Sequence, residues 1–137
     1  MIEIAAAAGE AMMQGLLERL DSHASAATCA LYQGTRPPAG QDPASPTDLL
    51  ATLVLAKPSG SVNSSGTFTL ATSADGQLVR SGAPTWARLR TGNGSFVLDC
   101  DARLLADAET GQEIVIAATA LLAGAFVRLG SGTFTVM

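Results

Sequence analysis

One histidine, two cysteines, one tryptophan and one tyrosine are all that 137 residues offer in the side chains from which most active sites are built. His23 has no GxSxG elbow to serve, so a hydrolase triad would have to come from unmarked residues. The glycines of LGSGTF (129–134) lack a following GK[ST] or a helix, which makes them weak evidence for a nucleotide-binding loop and favours a turn or β-bulge before a last strand. Cys29 and Cys100 lie in apolar contexts with no CxxC or HxxxH beside them, which argues against a metal site. They read as buried free thiols, the alternative being a disulfide that needs Cα atoms within about 7 Å. Trp86 and Tyr32 are too few for a sugar-binding platform or a base-stacking surface. The expectation is a chain with no cofactor and no catalytic residue.

Charge is equally sparse. Only 15% of residues are charged, the net charge is -4, and the eight basic residues are scattered, whereas a phosphate backbone demands a basic stripe. No apolar run approaches the roughly eighteen residues of a membrane span. The Ala-rich start MIEIAAAAGEAMMQGLLERLDSH has no basic n-region, and Glu3, Glu10 and Glu18 interrupt it, unlike a signal peptide. Neither nucleic acid nor membrane is expected as a partner. With 47% apolar residues the chain can bury one core, leaving a surface rich in Ser, Thr, Gly and Ala. Such a surface is cheap to desolvate and suits permanent docking against protein.

What is present is patterned. Met13, Leu16, Leu17 and Leu20 recur at helical spacing, so residues 3–21 are expected to form an amphipathic helix, either a lid on a β-core or an arm packed on a neighbouring subunit. Gly9 and Gly15 weaken it by about 1 kcal/mol each relative to Ala, so it depends on packing. Beyond Ser22 the period falls to two. Strands are expected at 28–32, 49–55, 67–72, 77–80, 85–90, 95–101, 113–121 and 126–129, with a ninth at 133–136. Ala74-Asp75-Gly76 and Gly92-Asn93-Gly94 read as hairpin turns. The expected fold is a single domain over residues 1–137, mainly β: an antiparallel β-sandwich of jelly-roll or Ig-like type over 27–137, with one N-terminal amphipathic helix.

Asp99 and Asp101 share a strand face, as do Arg88 and Arg90 across the Gly-Asn-Gly hairpin. Paired acids can serve a glycosidase or hold calcium. A ladder of opposite charges on a solvent face is the simpler account.

The order of motifs carries a resemblance. An amphipathic helix, LYQGTRPP with Tyr32, Gly34, Arg36 and Pro37, a Pro/Gly/Asp loop, LLATLVL with Leu49, Leu50, Ala51, Leu53 and Leu55, then TFTL and GAPTWARLRTGNG with Trp86, Arg88, Leu89 and Gly94 resemble a group of small virion proteins of tailed bacteriophages and prophages. Pro38 and the acidic end of the hairpin depart from that pattern. The resemblance covers nearly the whole chain and rests on structural residues. It implies a non-enzymatic, homo-oligomeric subunit of the virion, assembled in the host cytoplasm, that decorates or cements the capsid. The alternatives are a neck, collar, tail-ring or fibre-base component, or a host-surface glycan-binding module. The implied partner is the major capsid protein or a connector or tail protein.

The loop at 34–47 is the expected contact surface. Its four prolines favour extended backbone held in one shape at reduced entropic cost, and Arg36 offers a planar fork to carboxylates or carbonyls. Gly34, Thr35, Arg36, Pro37, Pro38, Asp42, Pro43 and Pro46 are accordingly the candidate partner-binding residues. A crossover that only carries the chain between sheets is the plain alternative.

Overall fold

A computed structural model describes residues 5–104, 113–117 and 122–135. Helix α1 (Ala6–Leu20) is followed by β1 (Thr28–Tyr32), β2 (Leu49–Val62), β3 (Thr67–Ala74), β4 (Gly76–Gln77), β5 (Trp86–Arg90), β6 (Phe96–Leu104), β7 (Ile114–Ile116), β8 (Phe126–Val127) and β9 (Leu129–Thr135). Residues 3 and 4 of the expected helix, 118–121 of the seventh expected strand and 136 of the last lie outside the described residues.

Seven strands close into a barrel in the order β1-β2-β3-β9-β7-β6-β5, while β4 and β8 form a separate two-stranded flap. All barrel pairs are antiparallel except β6 with β7, which run parallel through Ala102–Ile114, Arg103–Val115 and Leu104–Ile116. This corrects the expected antiparallel β-sandwich of jelly-roll or Ig-like type: the architecture is mainly β with one helix, but it is a closed mixed barrel. Alternation reports that each strand buries one face, and that is equally true when a sheet stacks on another and when it curls onto itself.

Two features make the curling possible. β2 is 14 residues long and outreaches β1, pairing Leu49–Val54 with β1 on one edge and Val54, Leu55 and Gly60–Val62 with β3 on the other. Between Leu55, opposite Thr72, and Gly60, opposite Leu70, residues 56–59 bulge out of the ladder and bend the strand. Gly60 is required there, since a Cβ would sit 2.1 Å from the Thr69 carbonyl oxygen. Likewise β9 bridges β3 and β7, and its register slips between Ser131, opposite Val115, and Leu129, opposite Ile116. Gly130 is thus the extra residue of a bulge, lying inside the last described strand where the sequence placed a break before it.

The interior is filled from every strand, with Leu31, Leu50, Leu53, Leu55, Phe68, Ala87, Leu89, Ala102, Ile114 and Ile116 buried. Phe68 faces Phe134 across β3 and β9, with ring centroids 6.1 Å apart in an edge-to-face arrangement. Helix α1 turns Leu20, fully buried, and Met13, Leu16 and Leu17 towards this core. The helix thus lies on its own barrel, as the lid reading expects. Its C-terminus is clamped: the Asp21 carboxylate accepts from the Ser59 amide at 3.1 and 3.2 Å and from the Ser59 hydroxyl, while Lys57 donates to the Asp21 and His23 carbonyls. The β2 bulge therefore also anchors the helix.

The Gly92-Asn93-Gly94 hairpin forms as expected between β5 and β6, with Gly94 at φ +89°. Ala74-Asp75-Gly76 does not make a hairpin. There the chain leaves the barrel, and β4 pairs with β8 through Gly76–Val127 and Gln77–Phe126.

Candidate functional site

Gln33 donates its amide to the Asp48 carbonyl at 2.9 Å, which pinches the loop shut at its base. The Thr85 hydroxyl donates to the Gly34 carbonyl, fixing the exit from β1. At the far end Ser45 caps a 3-10 turn, Pro46–Asp48, with its hydroxyl accepting from the Thr47 amide. Gly34 at φ +85° and Gly40 at φ +78° take left-handed backbone that other residues adopt at a cost. What lies between is a strap laid across the outside of β5 and β6. It is an Ω-like loop held by its own barrel, and so more than a crossover between sheets.

Beneath the strap lies a second small core. Trp86 stacks on Tyr32 with centroids 4.2 Å apart and planes 9° from parallel, and Ala30 and Leu49 pack beside them. Arg88 is only 3% exposed. Its Nε and Nη2 donate to the two Asp99 oxygens at 2.7 and 3.1 Å, and Nη2 also donates to the Gln41 carbonyl of the strap at 2.6 Å. The guanidinium lies 5.2 Å from the Trp86 ring centroid and 5.3 Å from that of Phe96. Hydrogen bonding to Asp99 holds the Arg88 guanidinium above its ordinary pKa, against the opposing effect of burial. Among the described residues, the Trp86 indole N–H is buried without a hydrogen-bond partner.

The expected charge ladder is therefore half formed and not on a solvent face. The pair Arg88–Asp99 exists but is covered. With Arg88 opposite Asp99, the antiparallel register sets Asp101 opposite Trp86, and after a slip beyond Leu89 Arg90 stands opposite Phe96 and donates to the Tyr32 hydroxyl at 3.3 Å. Asp101 pairs instead with Arg36 of the strap at 3.6 Å, both about half exposed.

Between the strap and β6 runs an open groove of about 500 Å³, lined by Arg36, Pro37, Pro38 and Ala39 on one wall and Phe96–Asp99 on the other. Three of the candidate partner-binding residues, Arg36, Pro37 and Pro38, thus converge on one concave surface. Gly34, Thr35, Asp42 and Pro46 are exposed on the strap away from it, and Pro43 is half-buried. Nothing in the sequence marks the β6 wall as a contact surface, since Phe96, Val97 and Leu98 read as ordinary strand residues.

The remaining candidates are dispersed. His23 accepts the Ser25 amide at Nδ1, at 3.1 Å, and borders the helix clamp. Cys29 and Cys100 are buried free thiols inside the barrel. Burial pushes the Cys29 thiol up to about 12, and burial, followed by the neighbouring Cys29, raises Cys100 further. Tyr32 and Trp86 offer no open ring face to a sugar. Among the described residues no three His, Cys, Asp or Glu side chains gather into a metal-binding group, and no helix is long and apolar enough to cross a membrane. No family model, no curated protein and no solved structure matches the chain.

Proposed function

We propose that this chain is a non-enzymatic structural subunit of a tailed-bacteriophage particle, decorating or cementing the capsid through protein–protein contacts. The observation that carries this reading joins the sequence resemblance to the site. Tyr32, Arg36, Trp86 and Arg88, on which the resemblance rests, are the residues that fasten the strap. Tyr32 and Trp86 stack beneath it, Arg88 reaches its Gln41 carbonyl, and Arg36 reaches across to Asp101. The motif thus reads as a specification for a displayed, prefolded loop. A loop already held in shape loses little conformational entropy when a partner covers it.

Binding is then the whole mechanism. The exposed segment Gln41–Thr47 meets the shell protein, and many copies, each with a modest interface, give durable attachment by repetition. Cutting out the strap is a poor test, because it would uncover Arg88 and Asp99. Asp42→Lys combined with Pro46→Glu changes only its exposed face.

The experiment is co-sedimentation with purified particles, with copy number measured by quantitative mass spectrometry against the major shell protein. One copy per shell subunit, or a simple fraction of it, supports decoration. A few copies per particle moves the assignment to the neck or tail. Absence from particles, or unchanged co-sedimentation of the double variant, overturns the particle reading or the strap assignment respectively.

A further inference from the structure

Trp86 is the only tryptophan of the chain, and it stands where it needs a cover. On β5, Ala87 and Leu89 belong to the barrel core, so alternation turns Trp86 and Arg88 outward, yet Trp86 is 1% exposed. Tyr32 stacks on one ring face and the Arg88 guanidinium lies 5.2 Å from the ring centroid, and the strap closes over the rest. Among the described residues the Trp86 indole N–H is the one buried side-chain donor or acceptor without a partner. Out of water, it forfeits a hydrogen bond that the protein does not replace, so the covered state is held at a cost.

The cover is lightly held along one stretch and firmly at both ends of it. Between Gly34 and Gly40, Thr35, Arg36, Pro38 and Ala39 are exposed and Pro37 is half-buried. Among the described residues, the one side-chain polar contact these five make with the barrel is Arg36 with Asp101 at 3.6 Å, both about half exposed. Such a pair is a weak fastener. On the β6 side the stretch does not pack down on Phe96–Asp99 but leaves the open groove between them. At the ends, the Gly34 carbonyl accepts from the Thr85 hydroxyl, and the Gln41 carbonyl accepts from the buried Arg88 at 2.6 Å. Gly34 at φ +85° and Gly40 at φ +78° are also the two points where the backbone turns most freely. Pro37 and Pro38 fix φ between them, so the stretch moves as one piece. One hydrogen bond spans the second hinge, from the Gln41 amide to the Pro38 carbonyl at 3.0 Å, and both residues are exposed, so water replaces it at little cost.

We propose that residues 35–39 form a lid that swings about Gly34 and Gly40, and that its open state gives the Trp86 indole N–H a water partner while Gln41 stays seated on Arg88. Opening is a local event with the barrel intact, and the closed form described above is the major state. Arg36 and Pro38 lie on the exposed side of the lid, so a protein that covers them holds it shut. The lid thereby couples the outer surface of the strap to the pocket around Trp86. The inference concerns the strap alone and goes beyond the particle reading, whatever the chain attaches to.

The test is hydrogen–deuterium exchange on the full chain, followed by NMR at the single indole N–H. The indole is expected to exchange faster than the backbone amides of Leu89 and Cys100 in the barrel wall, because it needs only the lid to open. Asp101→Asn and Arg36→Gln each remove the fastener from a half-exposed position. Each is expected to quicken indole exchange by about two- to fivefold, with the barrel amides and the urea midpoint unchanged and acrylamide quenching of Trp86 fluorescence rising in step. If one variant does not fold, the other decides. An indole that exchanges only at the pace of the barrel amides, or one that the folded variants leave unchanged, overturns the lid. Neither result touches co-sedimentation with particles, which tests the particle reading by itself.

Discussion

Arg88 and Asp99 face each other across β5 and β6 as a two-pronged ion pair, with side chains only 3% and 5% exposed. Such a pair is dangerous to break, because either partner alone becomes an uncompensated buried charge. Arg88→Met is therefore expected to destabilise the fold by about 3–5 kcal/mol, and Arg88→Met with Asp99→Leu by distinctly less than the sum of the single changes. Urea unfolding of the four proteins of this double-mutant cycle measures the difference.

Gly60 and Gly94 separate two reasons for a glycine. At Gly60 a methyl would strike the Thr69 carbonyl oxygen, whereas at Gly94 it meets nothing within 4 Å but must adopt φ +89°. Gly94→Ala is expected to cost about 1–2 kcal/mol, the ordinary penalty of left-handed backbone. Gly60→Ala should exceed it, since the obstructing atom is backbone and β2 must shift. Thermal melts of both variants rank them.

The helix clamp gives a local prediction. Asp21→Ala removes the acceptor for the amide and hydroxyl of Ser59, a residue with no solvent exposure. The expected loss is about 1–3 kcal/mol. Hydrogen exchange should show faster opening of α1 than of β5 and β6, and uniform acceleration throughout the barrel would contradict the clamp.

Alkali provides a test of the interior. Cys29 is raised from 9.0 to about 12 in the folded chain. Between those values the unfolded thiol loses its proton while the folded one keeps it, so the unfolded state binds fewer protons and stability falls as pH rises. The contribution is complete below about pH 9 and is lost by about pH 12, at up to about 1.4 kcal/mol per pH unit. Comparing wild type with Cys29→Ala by urea unfolding at several alkaline pH values should show a shallower decline in the variant.

These outcomes also mark where the sequence was readable. Thr28–Tyr32, the Gly-Asn-Gly hairpin and the Met13–Leu20 stripe were legible because each is fixed by neighbours a few residues away. The strand expected at 49–55 stops short of Lys57-Pro58-Ser59, although β2 continues through it as a bulge, because only contact with Asp21 and β3 shows what the interruption accommodates. Closure was invisible for a related reason: the parallel pairing of Ala102 with Ile114 leaves the same one-face alternation as an open sheet would. At the strap, prolines and Arg36 marked a shaped loop. That Arg88 would reach the Gln41 carbonyl, 47 residues away, and that Phe96–Leu98 would supply the opposite wall depends on how the loop folds back over β5 and β6, which no local pattern encodes.

β9 is the strand that joins β3 to β7, and among the described residues it follows the other strands of the barrel. During synthesis the earlier strands therefore wait as an incomplete sheet with two unsatisfied margins until residues 129–135 clear the ribosome. Ring closure is the slow, long-range event of folding, and it comes late by necessity.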